Sequence, residues 1–167
     1  GSTAASTLPL QDILVTDGVF TAFGPGLAQQ YEAQGGDLAA IEVVDLGGKL
    51  VCPPFCDTHL HLDYVFTARK PGAVNESGTL FEGIQRWSET KSDLTVDEIK
   101  QRAKIGIKKE MLHGVQLIRS HADVTDPNLT SLKALLELKE ELKDTVTLQI
   151  VSFPQEGMYS YEGPHGE

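Results

Sequence analysis

The chain has 167 residues, 40% of them hydrophobic and 23% charged, and a formal net charge of −10. That length predicts one domain or slightly more, with the composition of an ordinary globular protein. The acidity argues against a nucleic-acid partner, since neutralising phosphates needs clustered Lys and Arg, and no apolar run reaches the roughly 18 residues of a membrane span; a small neutral molecule or a protein is the expected partner.

Residues 1–7, a Ser/Thr/Ala stretch behind Gly1-Ser2, read as a tag and a mobile tail. No basic segment followed by an apolar core opens the chain, so no secretory signal is expected and the cytoplasm is the expected compartment. Residues 8–49 read as a small N-terminal β-domain. Asp12–Thr16 and Val19–Phe23 flank Asp17-Gly18, a two-residue hairpin signal. Gly24–Ala40 is a looser stretch, and Ile41–Leu46 reads as a further strand closed by Gly47-Gly48.

From residue 50 to residue 167 the pattern changes to alternating strands and helices. Leu50–Cys56 is an apolar run that reads as a strand ending near Pro53-Pro54. Thr79-x-x-Glu82 is a capping-box pattern for a helix to about Lys91. Thr95-x-x-Glu98 is a cleaner one, opening a helix that runs to His113 and stops at Gly114. Ile99, Ala103, Ile107 and Met111 give that helix one apolar stripe. Val115–Ser120 is a β-rich run leading into His121, and Asp126-Pro127 reads as an N-cap with Pro at the first helical position. The helix behind it, to about Leu142, is expected to bury Leu129, Leu132, Leu135, Leu136 and Leu138. Val146–Phe153 is a third strand, ended by Pro154.

Such alternation implies parallel strands joined by right-handed helical crossovers. The expected fold class is therefore α/β, a partial (β/α)8 TIM barrel preceded by the small β-domain. A closed barrel typically needs about 250 residues, so residues 50–167 would supply about three of the eight units. The remainder is expected on another chain or outside this one.

The two cysteines, Cys52 and Cys56, make no disulfide framework. Four residues apart on one strand, they would sit about 13 Å apart, beyond disulfide reach. Buried free thiols in a reducing compartment are the expectation.

The segment that carries chemistry is Asp57-Thr58-His59-Leu60-His61-Leu62-Asp63, just after an apolar strand. In an extended segment residues i and i+2 share a face, so His59 and His61 can place two imidazoles on one divalent cation. Neutral imidazole suits zinc, iron and similar ions, and barrel enzymes keep their sites at the C-terminal ends of strands. Asp57 and Asp63 either orient the imidazoles from behind or cap the strand end and the turn. His121 and Asp123 share a face at the end of the next strand and read as pocket-wall or structural groups. His113, at a helix end, complements the helix dipole, and His165 has no expected role.

Asp57-x-His59-x-His61 at the end of a first barrel strand resembles the signature of the amidohydrolase superfamily. Ser77-Gly78-Thr79-Leu80-Phe81-Glu82-Gly83-Ile84 with Arg86-Trp87, Arg119-x-His121-x-Asp123-Val124, and Phe153-Pro154-Gln155-Glu156-Gly157 resemble its bacterial cytosine deaminase branch. The resemblance spans residues 50–160, and residues 1–49 match only in type. It implies one divalent metal ion, Fe2+ or Zn2+, with His59 and His61 as its first two ligands. It also implies that Gln155 hydrogen-bonds a pyrimidine edge, where an amide offers both a donor and an acceptor, and that the backbone carbonyl near Leu80 makes a further base contact. Without the family pattern, Gln155 would read as a polar loop residue.

The implied reaction is hydrolytic deamination of a nucleobase, cytosine to uracil and ammonia. The family's third histidine ligand, aspartate ligand and acid/base glutamate belong to later strands, so no catalytic acid or base is expected here. Deamination of isoguanine, 5-methylcytosine or creatinine, or hydrolysis of another cyclic amide, is the alternative within the superfamily, and an inactive fragment or partner-binding module the non-enzymatic one. The expected protein partner is the missing barrel portion or a second copy in a homo-oligomer. The cytidine-deaminase design is excluded: it needs His-x-Glu followed by Pro-Cys-x-x-Cys, and His165-Gly166-Glu167 has no such pair behind it.

Overall fold

The computed structural model describes residues 9–157. They divide between Cys52 and Pro53 into two compact units. In the first, β1 (Asp12–Thr16) pairs antiparallel with β2 (Val19–Gly24). Asp17 and Gly18 both take positive φ, 53° and 76°, the two-residue turn whose twist matches that of paired strands. The stretch expected to be loose holds α1 (Leu27–Ala33), with the Leu27 amide donating to Asp12 Oδ2 at 2.9 Å. Ile41–Leu46 is not a strand. Val43 and Val44 are exposed, and an apolar run forms a strand only where a neighbour takes up its backbone hydrogen bonds.

The second unit contains β3 (Phe55–Leu60), α2 (Leu80–Lys91), α3 (Val96–Leu112), β4 (Val115–Asp123), α4 (Thr130–Glu141) and β5 (Thr147–Phe153). The three strands form one parallel sheet in the order β3-β4-β5. Parallel neighbours require a crossover; here α2 and α3 fill the first and α4 the second. The fold is thus α/β with helices returning the chain to the adjacent strand.

The first strand begins later than its apolar run suggests. Pro53 and Pro54 lack the amide a ladder needs, and the first ladder bond runs from the Phe55 amide to the Gly114 carbonyl, 2.9 Å. Both Cys52 and Cys56 are free but exposed, not buried. Cys56 is held in β3 without packing beneath a helix.

The core lies between the sheet and its helices. Ile118 and Ala122 of β4, and Leu148 of β5, pack with Ile99, Ala103 and Ile107 of α3 and Ala134, Leu135 and Leu138 of α4. The stripe of α3 is therefore buried as its spacing predicts, with Met111 partly so. On α4 the expectation holds for Leu135 and Leu138, both at 0% exposure, but Leu136 is 51% exposed and Leu129 38%. Asp126 does not cap this helix directly. It builds the preceding turn, accepting from the Asn128 amide at 3.0 Å and the Thr130 amide at 2.9 Å, and the helix starts at Thr130, after Leu129 in the left-handed region.

Thr79 and Thr95 cap α2 and α3, each hydroxyl accepting from the amide three residues on. The return half of the expected box is used elsewhere in α2. Glu82 accepts from the Ser77 amide at 2.7 Å and the Glu76 amide at 3.1 Å, so it organises the loop before the helix. Hydrogen bonds from Ser77, then from Glu76, pull its carboxyl down to about 2.

Two outcomes follow. Leu138→Ala should destabilise the chain by about 2–5 kcal/mol, and Leu136→Ala by under about 0.5 kcal/mol, as read from urea unfolding; equal losses would contradict the assigned face. Because the Glu82 carboxyl is depressed when folded, its hold on the loop is complete above its ordinary titration range and is lost as pH falls toward about 2. Amide-exchange protection at Glu76 and Ser77 should then persist at pH 5 and collapse near pH 2, with Glu82→Ala already unprotected at pH 5.

Candidate metal and nucleobase site

The end of β3 is irregular where the chemistry lies. Asp57 pairs with Ile118 and Leu60 with Ser120, so three steps on β3 face two on β4. Such a bulge frees a backbone group and re-aims a side chain. The His59 amide is satisfied by Asp57 Oδ1 at 2.9 Å. Asp57 thus holds the backbone that carries His59. Asp63 does the equivalent across the strands: buried at 0% exposure, it accepts from the Asp123 amide at 2.8 Å. Burial, the dominant influence, pushes its carboxyl up to about 6.

His59 and His61 come together, with ring centroids 5.3 Å apart and planes at 56°. Two imidazoles bound to one zinc-sized ion, at about 2.0–2.1 Å in a tetrahedral arrangement, place their centroids about 5 Å apart. The pair fits one shared ion. His61 Nδ1 lies 3.1 Å from the His121 carbonyl oxygen. A carbonyl only accepts, so Nδ1 carries the proton and Nε2 keeps its lone pair. This is the backbone buttress seen behind metal-bound histidines. Burial lowers the proton affinity of His61, the His121 carbonyl opposes that, and the neighbouring His59 lowers it further; the net shift favours the neutral ring, the form a metal requires.

His121 takes part through its backbone and its ring face. Its ring stacks on His59 at 4.2 Å with planes 25° apart. Lone pairs lie in the ring planes, so two nearly parallel stacked rings cannot aim at the same ion. Burial again lowers its proton affinity. Among the described residues, no set of three or more His, Cys, Asp or Glu side chains could hold an ion. Catalytic zinc sites usually have about three protein ligands, one more than the two imidazoles of His59 and His61 supply.

Asp123 is tied up in structural hydrogen bonds. Trp87 Nε1 donates to its Oδ2 at 2.6 Å, and the Thr125 amide and hydroxyl donate to its Oδ1 at 2.8 and 2.6 Å. Burial alone would raise its carboxyl, but these donors and the Lys91 ammonium hold it below the usual range.

A cavity of about 820 Å³ opens beside the histidines. It is lined by His59, His61, Leu80 and Gln155 together with Tyr64 and Phe153. All four positions singled out as metal or base contacts therefore face one space. Leu80 is the first residue of α2, and Gln155 sits in the turn after β5, closed by the Gly157 amide on the Pro154 carbonyl at 3.0 Å. His113 closes α3, its Nδ1 2.7 Å from the Lys109 carbonyl, away from this cavity. His165 lies outside the described residues.

Three residues of this neighbourhood were not legible as such. Tyr64 stacks on His61 at 4.6 Å, and Trp87 packs on Tyr64 at 4.7 Å. Lys91 donates to Asp123. The available signal was the spacing of Trp87 and Lys91, four apart on one helix face.

Comparison with known proteins agrees with this geometry. Residues 42–167 match the Amidohydrolase family. N-isopropylammelide isopropyl amidohydrolase of Pseudomonas sp. (strain ADP) is 35% identical over 120 residues, covering 70% of this chain and 30% of that protein. Pterin deaminase of Rhizobium rhizogenes is 27% identical over 152 residues, covering 88% of this chain and 32% of that protein. The crystal structure of 5-methylcytosine deaminase from Klebsiella pneumoniae liganded with 5-fluorocytosine superposes with a TM-score of 0.70 at 42% identity, over 89% of this chain and 34% of that one. The same enzyme liganded with phosphonocytosine gives 0.73 at 40% identity, over 93% and 36%. The chain thus spans about a third of the length of these relatives. A family match over residues 42–167, three-quarters of its length, makes this chain a member of the amidohydrolase family.

Proposed function

We propose that this chain is the N-terminal portion of a metal-dependent hydrolase that removes the exocyclic amine of a cytosine-type nucleobase, releasing ammonia. The observation that carries the reading is the convergence of His59, His61, Leu80 and Gln155 on one cavity. The 42% identity to a 5-methylcytosine deaminase supports the pyrimidine class.

In this reading β3, β4 and β5 are the first three strands of a (β/α)8 barrel, a placement supported by their sequential parallel order and by a site at their C-terminal ends. His59 and His61 hold one divalent ion, iron or zinc. When bound, the ion supplies the Lewis acidity that makes water nucleophilic near neutral pH. The His121 carbonyl holds His61 in one tautomer and one rotation, burial favours its neutral form, and Tyr64 covers its ring face. The Gln155 amide reads the pyrimidine edge, its oxygen accepting from a ring N–H and its nitrogen donating to the ring carbonyl. Leu80 and Phe153 line the same cavity, Leu80 offering the base its backbone carbonyl and Phe153 an apolar face. The remaining ligands and the proton-transfer groups come from later barrel strands, supplied in cis or by another chain.

The 35% identity to an isopropyl amidohydrolase favours one second reading, cleavage of a substituted exocyclic amine on a related ring. It keeps the same residues and changes only the leaving group.

In the complete protein carrying this chain, ammonia release from cytosine and 5-methylcytosine should be measurable by a coupled assay. His61→Ala should lower it by more than the ~10–100-fold typical of losing an outer partner of a metal ligand. Folded, metal-loaded protein that releases ammonia from neither pyrimidine, but an alkylamine from an N-alkylated ring, would move the assignment to the second reading.

A further inference from the structure

We propose that Lys91 is a positioning residue for substrate recognition: its ammonium locks the Gln155 turn to the end of α2 through Glu156. The inference deepens the assignment of Gln155 above and rests on it. Lys91 is the last residue of α2, and its side chain is only 13% exposed. Its Nζ donates to Thr125 Oγ1 at 2.6 Å, to Glu156 Oε1 at 2.7 Å and to Asp123 Oδ2 at 3.3 Å. An ammonium has three protons, and here each finds an acceptor on a different segment: the end of β4, the turn behind it, and the turn after β5.

Two of those acceptors are themselves fixed. Asp123 is held by Trp87 and by both donors of Thr125, so Asp123 and Thr125 form a rigid post on which the ammonium stands. Glu156 is the third acceptor, and it directly follows Gln155. The helix that Lys91 ends is the one that Leu80 begins, a rod of 12 residues. One charged group therefore links the helix that begins at Leu80 to the turn that carries Gln155, the two proposed base contacts lining one cavity. Charge-assisted bonds of this kind are about twice as strong as neutral ones, which suits a turn carrying a recognition group. Neither Lys91 nor Glu156 lines the cavity, so the effect is transmitted through the turn.

The test pairs Lys91→Met and Glu156→Gln with Lys91→Arg and Gln155→Ala. Glu156→Gln alters only the turn partner, so it serves even if Lys91→Met folds poorly. In the complete enzyme, Lys91→Met and Glu156→Gln should each raise KM for the pyrimidine ~10-fold, leave kcat within about twofold, and combine without adding further. Lys91→Arg should restore most of the loss. In this chain alone, the side-chain amide resonances of Gln155 should broaden or shift in both variants and recover with Arg, a readout that needs no turnover. Unchanged Gln155 resonances, or an unchanged KM in both variants while Gln155→Ala raises it, would overturn the role of Lys91 and leave the site intact. An unchanged KM in Gln155→Ala would instead overturn the recognition assignment, and this inference with it.

Discussion

The hydrogen bond between His61 Nδ1 and the His121 backbone carbonyl is the contact on which the site depends. It joins the end of β3 to the end of β4, so it exists only when the two strands keep their parallel register. It also decides chemistry, because a carbonyl partner fixes the tautomer and leaves Nε2 as the lone-pair nitrogen. The bulge between Asp57 and Leu60 complements it by turning His59 toward the same place, with Asp57 satisfying the amide that the bulge releases. Two backbone features thus bring two imidazoles to a separation that suits one ion.

Packing around this pair is polar at depth, with two carboxylates tied into the fold. Asp63 takes up the Asp123 amide, and the Asp123 carboxylate takes up Trp87, Lys91 and Thr125. Buried carboxylates are costly unless their oxygens are satisfied. Here they convert that requirement into long-range order, tying α2 to the far end of the sheet. The stacked series His61, Tyr64, Trp87 runs along the same path, so the helix bearing Leu80 is anchored to the strand ends that carry the histidines.

Much of this was legible in the sequence because it is local. The span of α3 follows from Thr95, its apolar stripe and Gly114, and all three act as their types predict. His59 and His61 stand out because a spacing of two has a fixed meaning near a strand. What failed needed distant information. Ile41–Leu46 has strand-like residues but no strand, since pairing is decided by neighbours and not by propensity. The β3 start was misplaced because the apolar run includes two prolines, whose missing amides matter only once the partner at Gly114 is known. The spacing of Trp87 and Lys91 places them on one helix face, but their roles and that of Tyr64 depend on contacts made only in the folded chain.

The chemistry proposed for the site requires His59 and His61 to act together on one cation. Long-range 1H–15N spectra of the imidazoles during Zn2+ titration of this chain test it directly. One nitrogen of His59 and Nε2 of His61 should shift in concert toward a single equivalent, while His61 Nδ1 keeps its proton directed at the His121 carbonyl. Independent shifts of the two rings, or metal bound through His61 Nδ1, would contradict it.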